Sequence, residues 1–263
     1  MAVIGFFDSG IGGLTVMHEA RKQLPFEQFL YFADTDHVPY GTKTTEEIYF
    51  HTRNAADFLL QQGAEILVIA CNTATSVAIT KLREELPIPI VGMEPAVKPA
   101  ARRYPDSKIL VCATPRTIEG DKLHHLLENE HAAPENVHLL PLPMLVNWAE
   151  EGRFDTETVV PYLRETIPNY DYTVVVLGCT HFTLFRDSFR RVLGEETIFI
   201  DGTPGTVKRI KCILDEYSLQ NRNNKTSPIR YFQSGREVQN SKTLTYIKNI
   251  YTRLTTLDEY IKL

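Results

Sequence analysis

The sequence predicts an α/β protein with mainly parallel sheets and two similar halves. Short apolar runs alternate with stretches of helical periodicity, which is the pattern of βαβ units. Two of the runs, Ile66–Ala70 and Val174–Leu177, lead into a cysteine that polar residues follow. Ligands of open α/β sheets bind at the carboxyl ends of the strands. We therefore expect Cys71 and Cys179, one from each half, to face a common ligand.

The strands are predicted from apolar runs rich in β-branched and aromatic residues, which are typical of buried parallel strands. Such runs begin near the amino terminus and recur as far as residue 200. The predicted strands are Val3–Phe7, Phe29–Phe32, Ile66–Ala70, Ile88–Val91, Ile109–Ala113, Val137–Leu140, Val174–Leu177 and Thr197–Ile200.

Helices are predicted between the strands, where apolar residues recur at helical spacing. The first follows the glycine-rich turn Gly10–Gly13, and the polar segment Leu219–Pro228 is predicted to be a surface loop. The other predicted helices are Thr45–Gln61, Thr75–Glu85, Thr117–Glu130, Thr156–Thr166 and Phe185–Leu193.

The composition is that of an ordinary folded protein. With 263 residues, 43% of them hydrophobic and 23% charged, the chain can form two modest α/β domains or one large one. No apolar run approaches the roughly 18–20 residues that span a bilayer, and the amino terminus lacks the basic region of a signal peptide. We expect a cytoplasmic protein with no membrane partner.

Cysteine spacing and charge narrow the function classes further. The four cysteines are expected to be reduced in the cytoplasm, and no C-x-x-C or other metal-ligand spacing is present, so no metal is predicted. The C-terminal segment is basic, but its charges are scattered and form no aromatic-interleaved cluster. No nucleic-acid partner is therefore expected.

Polar residues gather at the ends of the predicted strands. Asp8-Ser9-Gly10 closes the first strand and opens a glycine-rich turn, which presents backbone N–H groups to an anion. Asn72-Thr73 and Thr180-His181 place amide, hydroxyl and imidazole groups beside the two thiols. Pro39-Tyr40-Gly41 adds a polar loop with one aromatic ring. A ligand with both a carboxylate and an ammonium group suits this mixture.

Four motifs, in order, carry a resemblance to a known family. They are Phe7-Asp8-Ser9-Gly10-x-Gly12-Gly13, Pro39-Tyr40-Gly41, Cys71-Asn72-Thr73-Ala74 and Gly178-Cys179-Thr180-His181-Phe182, followed by similarity in Val91–Pro95 and Phe199–Asp201. This arrangement resembles the glutamate racemases of bacterial peptidoglycan synthesis, within the aspartate/glutamate racemase superfamily.

The resemblance implies two α/β domains of like fold around a cleft that holds the active site. The first domain, residues 1–97 plus 208–263, is discontinuous and carries Cys71, and residues 98–207 form the second domain with Cys179. It also implies supply of D-glutamate for peptidoglycan, and hence for cell wall biogenesis and cell shape. A homodimer is expected, because the family commonly forms dimers and Tyr246 and Tyr251 look like exposed aromatics.

The reaction predicted from the resemblance is cofactor-independent racemisation of L-glutamate to D-glutamate. Inversion requires an acid–base group on each face of the α-carbon, one thiolate removing the proton and the opposite thiol returning one. No P-loop, metal or PLP-lysine motif indicates a cofactor. By resemblance, Asp8 assists Cys71, while His181 and Glu150 assist Cys179. The residues implied to hold the substrate are Asp8, Ser9, Tyr40, Gly41, Asn72, Thr73, Thr117, Thr180 and His181.

Two other functions stay open at this point. The first is racemisation of another acidic amino acid, such as aspartate. The second is a binding role in which the protein inhibits DNA gyrase, as some family members with an amino-terminal extension do, although few residues precede the first strand here. The two intact cysteines argue against the one-cysteine decarboxylases of the superfamily.

Three positions depart from the family pattern. Arg116 stands where most members have glycine, Gly120 replaces a common serine, and Thr183 occupies a usual proline site. Arg116 is expected to narrow the mouth of the cleft or to pair with an acidic neighbour. The remaining cysteines, Cys112 and Cys212, are expected to serve as inert packing.

Overall fold

A computed structural model describes residues 2–129, 136–168, 171–221 and 225–260. In these residues the strands form one sheet of six strands and one of four. The first sheet contains Val3–Asp8 (β1), Gln28–Ala33 (β2), Ile66–Ile69 (β3), Ile90–Gly92 (β4), Arg230–Gln233 (β9) and Arg236–Glu237 (β10). The second contains Ile109–Ala113 (β5), Val137–Pro141 (β6), Val174–Leu177 (β7) and Ile198–Asp201 (β8).

The two sheets share one strand order. The first runs β10-β9-β2-β1-β3-β4 and the second runs β6-β5-β7-β8, so β1 to β4 and β5 to β8 are arranged alike. All pairings are parallel except that of β9 with β10. The predicted α/β class with mainly parallel sheets is confirmed, and Cys71 and Cys179 each follow the third strand of such a unit.

Helices connect the strands and cover the sheets. They are Leu14–Gln23 (α1), Thr45–Gln61 (α2), Asn72–Glu85 (α3), Val97–Arg103 (α4), Pro115–Glu119 (α5), Asp121–Asn129 (α6), Pro143–Glu150 (α7), Thr156–Thr166 (α8), Arg186–Leu193 (α9), Thr203–Glu216 (α10) and Ser241–Tyr260 (α11). Short 3-10 helices cover Tyr40–Thr42 and Thr180–Phe185. No helix in the described ranges is both long and apolar enough to cross a membrane.

Burial of the central strands explains why they read as continuous apolar runs. Every residue of β3, β5 and β7 is buried. One hydrophobic cluster includes Phe6 and Val68 of the first sheet together with Leu110 and Val175 of the second. At ~25 cal/mol per Å² of buried apolar surface, a core of this kind is the main stabilising contribution to the fold.

Several predicted helix boundaries were wrong, for local reasons. The predicted helix Thr117–Glu130 is two helices, because Gly120 between them has an extended backbone; Glu130 itself lies outside the described residues. Helix α3 begins at Asn72 rather than Thr75, because the Cys71 sulfur accepts a hydrogen bond from the Ala74 N–H and caps it. Residues 222–224 of the predicted surface loop also lie outside the described residues.

The sequence did not predict two short helices in the middle of the chain or the elements after residue 202, and its interpretation of two tyrosines was wrong. Helices α4, α7, α10 and α11 and strands β9 and β10 were not predicted. Tyr246 and Tyr251 are partly buried and pack against the core rather than being exposed. The Tyr246 hydroxyl donates to the Ala149 carbonyl at 2.5 Å, and the Tyr231 hydroxyl donates to that of Tyr251 at 3.3 Å.

Candidate active site

The two strand-end cysteines lie at one site between the sheets. Cys71 is 6% exposed and Cys179 is 7% exposed, so both thiols are nearly buried. A hydrogen bond connects the strand ends of the two sheets, because the Thr180 hydroxyl, next to Cys179, donates to Asp8 Oδ2 at 3.1 Å. Cys179 is also close enough for its charge to raise the pKa of the Cys71 thiol. The carboxyl ends of β1, β3 and β7 therefore contribute to a common site.

Cys71 is the N-cap residue of helix α3. Its sulfur accepts a hydrogen bond from the Ala74 N–H at 3.4 Å and contacts the Ser9 hydroxyl at 3.8 Å. A helix N-terminus stabilises a thiolate, because the N–H groups and the helix dipole carry positive charge there.

Burial and a neighbouring carboxylate oppose that stabilisation. Burial, followed by the negative charge of Asp8, raises the pKa of the Cys71 thiol to about 12 despite its hydrogen bonds with the Ala74 N–H and the Ser9 hydroxyl. Asp8 is itself fully buried, and burial raises the pKa of its carboxyl group, partly offset by His181 and by the Gly10 N–H. Cys71 is therefore a neutral thiol at neutral pH.

Cys179 has a different partner, an imidazole held by a carboxylate. Its sulfur lies 3.6 Å from His181 Nδ1, and His181 Nε2 lies 2.6 Å from Glu150 Oε1. Burial alone lowers the pKa of His181, but hydrogen bonds with Cys179 and Glu150 outweigh it and raise that pKa well above its ordinary value. The imidazole is thus cationic beside the Cys179 sulfur.

The glycine-rich turn after β1 packs against Glu150, which contacts His181, and against Thr180. The Ile11 N–H donates to Glu150 Oε1 at 2.8 Å, and the Gly10 N–H donates to Asp8 Oδ1 at 2.8 Å. A Cβ atom at Gly10 would lie 1.8 Å from Glu150 Oε1, and one at Gly12 would lie 2.4 Å from the Thr180 hydroxyl. Only glycine permits this approach.

Hydroxyl and amide groups line the side of the site near helix α5. The hydroxyls of Thr73, Thr114 and Thr117 form a buried trio with oxygen separations of 3.0 to 3.3 Å. Asn72 is 3% exposed, and neither the oxygen nor the nitrogen of its side-chain amide has a hydrogen-bond partner among the described residues. Gly41 lies against Thr114, where an added Cβ would be 2.9 Å from the threonine Cβ.

The aromatic residue of the polar loop is anchored by a carboxylate. The Tyr40 hydroxyl donates to Asp34 Oδ2 at 2.6 Å. Burial, followed by the charge of Asp34, raises the Tyr40 pKa, and the charges of Cys71 and Asp8 contribute as well. The Tyr40 hydroxyl is therefore neutral, and it lies near Asp8 at the end of β1 and Cys71 after β3.

Four contributions to the site were missed at the sequence level. They are the Thr114 hydroxyl, the Asp34 carboxylate, the Ile11 N–H and the Tyr246 hydroxyl, which also contacts the Glu150 carbonyl at 3.2 Å. Thr114 had a usable signal, because threonine followed by proline is a strong helix-start pattern. The Tyr246 contact joins segments far apart in sequence, so no local signal could have indicated it.

The departures from the family pattern have local consequences. Arg116 does not pair with an acidic neighbour in the described residues but donates to the Thr45 hydroxyl at the start of α2. The buried Thr183 hydroxyl has no hydrogen-bond partner in the described part of the chain. Cys112 is fully buried in β5, as expected of a packing residue, whereas Cys212 on α10 is half-buried.

Removing the Asp8 charge should make Cys71 more reactive. The Asp8 carboxylate raises the Cys71 pKa, so Asp8→Asn should lower that pKa and increase the thiolate fraction at any alkaline pH below it. Site-resolved iodoacetamide labelling followed by mass spectrometry should show faster alkylation of Cys71, with Cys212 as the internal reference. The matched control is Asp36→Asn, which removes an exposed carboxylate paired with Arg236. Unchanged or slower Cys71 labelling in Asp8→Asn would contradict this electrostatic assignment.

Comparison with known proteins gives the same family. Residues 14–210 match the Asp/Glu/Hydantoin racemase family. The chain is 45% identical over 257 residues to a glutamate racemase of Campylobacter concisus, covering 95% of this chain and 97% of that one. It is 43% identical over 252 residues to the glutamate racemase of Halothermothrix orenii, covering 94% and 99%.

A solved structure extends the similarity to the fold. The Escherichia coli glutamate racemase, in complex with L-glutamate and an activator, superposes with a TM-score of 0.79 at 27% identity, covering 95% of each chain. The family match spans most of the chain and the curated relatives span nearly all of it. The chain therefore belongs to the Asp/Glu/Hydantoin racemase family and is an isomerase of the glutamate racemase type.

Proposed function

We propose that this protein interconverts L- and D-glutamate by a two-base mechanism in which Cys71 and Cys179 act on opposite faces of the α-carbon. The observation that carries the proposal is the pair of nearly buried thiols, one from each sheet, each with its own acid–base partners. Glutamate as the substrate is supported by the curated relatives and by the L-glutamate in the Escherichia coli structure.

The proton transfers balance without another reactant. From L-glutamate, the Cys179 thiolate removes the α-proton, an S–H bond forms, and the electron pair of the broken C–H bond stays on the carbanion. The Cys71 thiol then gives its proton to the opposite face and becomes a thiolate. From D-glutamate the roles are exchanged. The assignment of each cysteine to a face follows the family resemblance.

The protonation states of Cys71 and His181 support these proton transfers. Cys71 has a raised pKa and is a thiol, so it can donate a proton. His181 is cationic and lies beside the Cys179 sulfur, while Glu150 holds the imidazole in place. In the reverse direction the substrate ammonium group favours the Cys71 thiolate, because an opposite charge nearby lowers a thiol pKa.

The substrate is proposed to bind mainly through neutral donors and one carboxylate. The Asn72 amide, which has no hydrogen-bond partner among the described residues, and the hydroxyls of Thr73 and Thr117 are suited to bind carboxylate oxygens. Asp8 is the buried acceptor for the ammonium group. The other proposed substrate contacts are Ser9, Tyr40, Gly41, Thr180 and His181.

The wider organisation remains part of the proposal. We propose that residues 1–97 plus 208–263 and residues 98–207 form two domains, which the matching strand orders of the two sheets support. A cytoplasmic location, a homodimer and a role in supplying D-glutamate for peptidoglycan are proposed from the family resemblance.

Activity should need neither a metal nor PLP. The reduced protein, treated with EDTA, is incubated with L-glutamate and separately with L-aspartate, and both enantiomers are measured by chiral chromatography. We expect D-glutamate to form without additions and aspartate to react far more slowly. Dependence on added PLP, loss of turnover with EDTA, or preference for aspartate would overturn the proposal. If the protein does not racemise glutamate and a Cys71→Ser variant inhibits DNA supercoiling by gyrase, these results would favour the binding role instead.

A hydrogen bond from Tyr246 of the C-terminal helix α11 should affect proton removal by Cys179. Tyr246 holds the carbonyls of Ala149 and Glu150 at the end of α7. Tyr246→Phe should reduce turnover about fivefold if the loss of a hydrogen bond of ~1 kcal/mol is fully expressed as poorer positioning of Glu150. Elimination from an L-glutamate analogue with a leaving group at Cβ should slow, while elimination from the D-analogue should not.

The matched control is Tyr251→Phe, which removes a hydroxyl bonded to Tyr231 and not to α7. An equal slowing of both enantiomers in Tyr246→Phe, or the same effect in Tyr251→Phe, would indicate a structural role rather than positioning of Glu150.

A further inference from the structure

A second cluster of ionisable side chains, which does not include the two thiols, lies beside Pro39-Tyr40-Gly41, here called the Tyr40 loop. Asp34, His37 and His51 each offer one ligand atom, and these atoms lie within 4.8 Å of one another. His37 Nδ1 is 2.8 Å from Asp34 Oδ1, and His51 Nδ1 is 4.0 Å from Asp34 Oδ2. The cluster joins the segment after β2 to helix α2.

The carboxylate at the centre of the cluster is already oriented. Asp34 is 4% exposed, and its two oxygens accept hydrogen bonds from the Tyr40 hydroxyl at 2.6 Å and the Ser234 hydroxyl at 2.8 Å. Outer hydrogen bonds of this kind fix the direction of a ligating carboxylate in metal sites.

The two imidazoles are held together by ring contact. The His37 and His51 rings are stacked, with centroids 3.8 Å apart and an interplanar angle of 27°. The His37 side chain is 40% exposed, whereas that of His51 is 17% exposed. An ion can therefore reach the cluster from solvent and keep water in its remaining coordination positions.

We propose that Asp34, His37 and His51 bind one divalent first-row transition-metal ion, for which Zn²⁺ and Co²⁺ are the probes. Two imidazoles and one carboxylate are a donor set that suits such ions better than Mg²⁺ or Ca²⁺. Zn–N and Zn–O distances of about 2.0–2.2 Å place neighbouring ligand atoms roughly 3–3.5 Å apart. His37 Nδ1 lies 2.8 Å from Asp34 Oδ1, His51 Nδ1 lies 4.0 Å from Asp34 Oδ2, and the three ligand atoms lie within 4.8 Å of one another, so side-chain rotation has to draw them together around the ion.

The bound ion would tie helix α2 to the Tyr40 loop, through the carboxylate that anchors Tyr40. None of its three ligands is an acid or base in the proposed racemisation. Failure of metal binding therefore leaves the proposed function intact, and failure of racemisation leaves the metal site intact.

The test is a titration of the reduced, metal-free protein with Co²⁺, monitored by visible absorption, and with Zn²⁺, monitored by calorimetry. We expect one equivalent of Co²⁺ to bind without the near-ultraviolet charge-transfer band of a cobalt–thiolate bond. His37→Gln and His51→Gln should each weaken binding by about 10- to 100-fold or more, since changes to outer partners alone have effects of that size. The matched control, His125→Gln, removes an exposed histidine of α6 and should bind as the wild type does.

Thermal unfolding completes the test and guards against misfolded variants. Zn²⁺ should raise the midpoint of the wild type and of His125→Gln but not that of His51→Gln, because only a native-state ligand stabilises. Wild-type affinity in His51→Gln, a thiolate band as the only signal, or no binding by the wild type would each overturn the proposal.

Discussion

Changing either Cys71 or Cys179 to serine is expected to reduce racemisation by about 10²–10⁴-fold, the usual contribution of a positioned acid or base. Serine is a much weaker acid and base at neutral pH, and both thiols lie in buried surroundings where solvent cannot easily replace them. The measurement is turnover in both directions by chiral chromatography. Cys212→Ser, which changes a half-buried cysteine of α10, is the matched control and should retain full activity.

Each serine variant should keep one half of the chemistry. Elimination from a substrate analogue with a leaving group at Cβ requires only removal of the α-proton. Cys71→Ser should therefore still process the L-analogue, and Cys179→Ser the D-analogue. Two variants that process both enantiomers equally would contradict the assignment of one thiol to each face.

Deuterated water provides an independent check of the same mechanism. Because different groups remove and return the proton, solvent deuterium should enter the product enantiomer first. Deuterium that appears at equal rates in recovered substrate and product from the earliest times would contradict the two-base mechanism.

The sequence could predict the strands that carry the thiols, because their burial imposes a continuous apolar run. Every residue of β3 and β7 is buried, and the cysteine positions follow directly from where those runs end. Strand β10 could not be predicted in this way, because its two residues, Arg236 and Glu237, are exposed and form no apolar run. Its position depends on antiparallel pairing with β9.

Contacts between segments far apart in the chain could not be predicted from the sequence, for a different reason. The Glu150 carboxylate accepts a hydrogen bond from the Ile11 N–H and lies 2.6 Å from His181 Nε2. The first of these donors is a backbone group, which no residue type indicates. Resemblance implied that Glu150 assists Cys179, but the closure of the glycine-rich turn over its carboxylate becomes evident only when the strands are assembled.

Replacing Gly10 with alanine is expected to impair catalysis far more than folding. The added Cβ would lie 1.8 Å from Glu150 Oε1 and 2.9 Å from Oε2. The carboxylate is the mobile end of a side chain that is 17% exposed, so it can move aside without unfolding the protein. That movement separates it from His181 and from the Ile11 N–H. A misplacement of ~1 Å can reduce turnover by about 10²-fold, and we expect a decrease of that order.

The measurements that separate positioning from folding are the enantiomer preference of elimination and the thermal midpoint. Gly10→Ala should slow elimination from the L-analogue, which depends on Cys179 and its His181–Glu150 support, more than elimination from the D-analogue. Gly205→Ala in the first turn of α10 is the matched control, because no atom outside its chain neighbours and its own helix backbone lies within 4 Å of the added Cβ. That control should keep full activity and gain about 0.5–1 kcal/mol of stability, since alanine is the better helix former. Full activity in Gly10→Ala would show that Glu150 is not needed where it lies, and His181 would then act without a carboxylate partner.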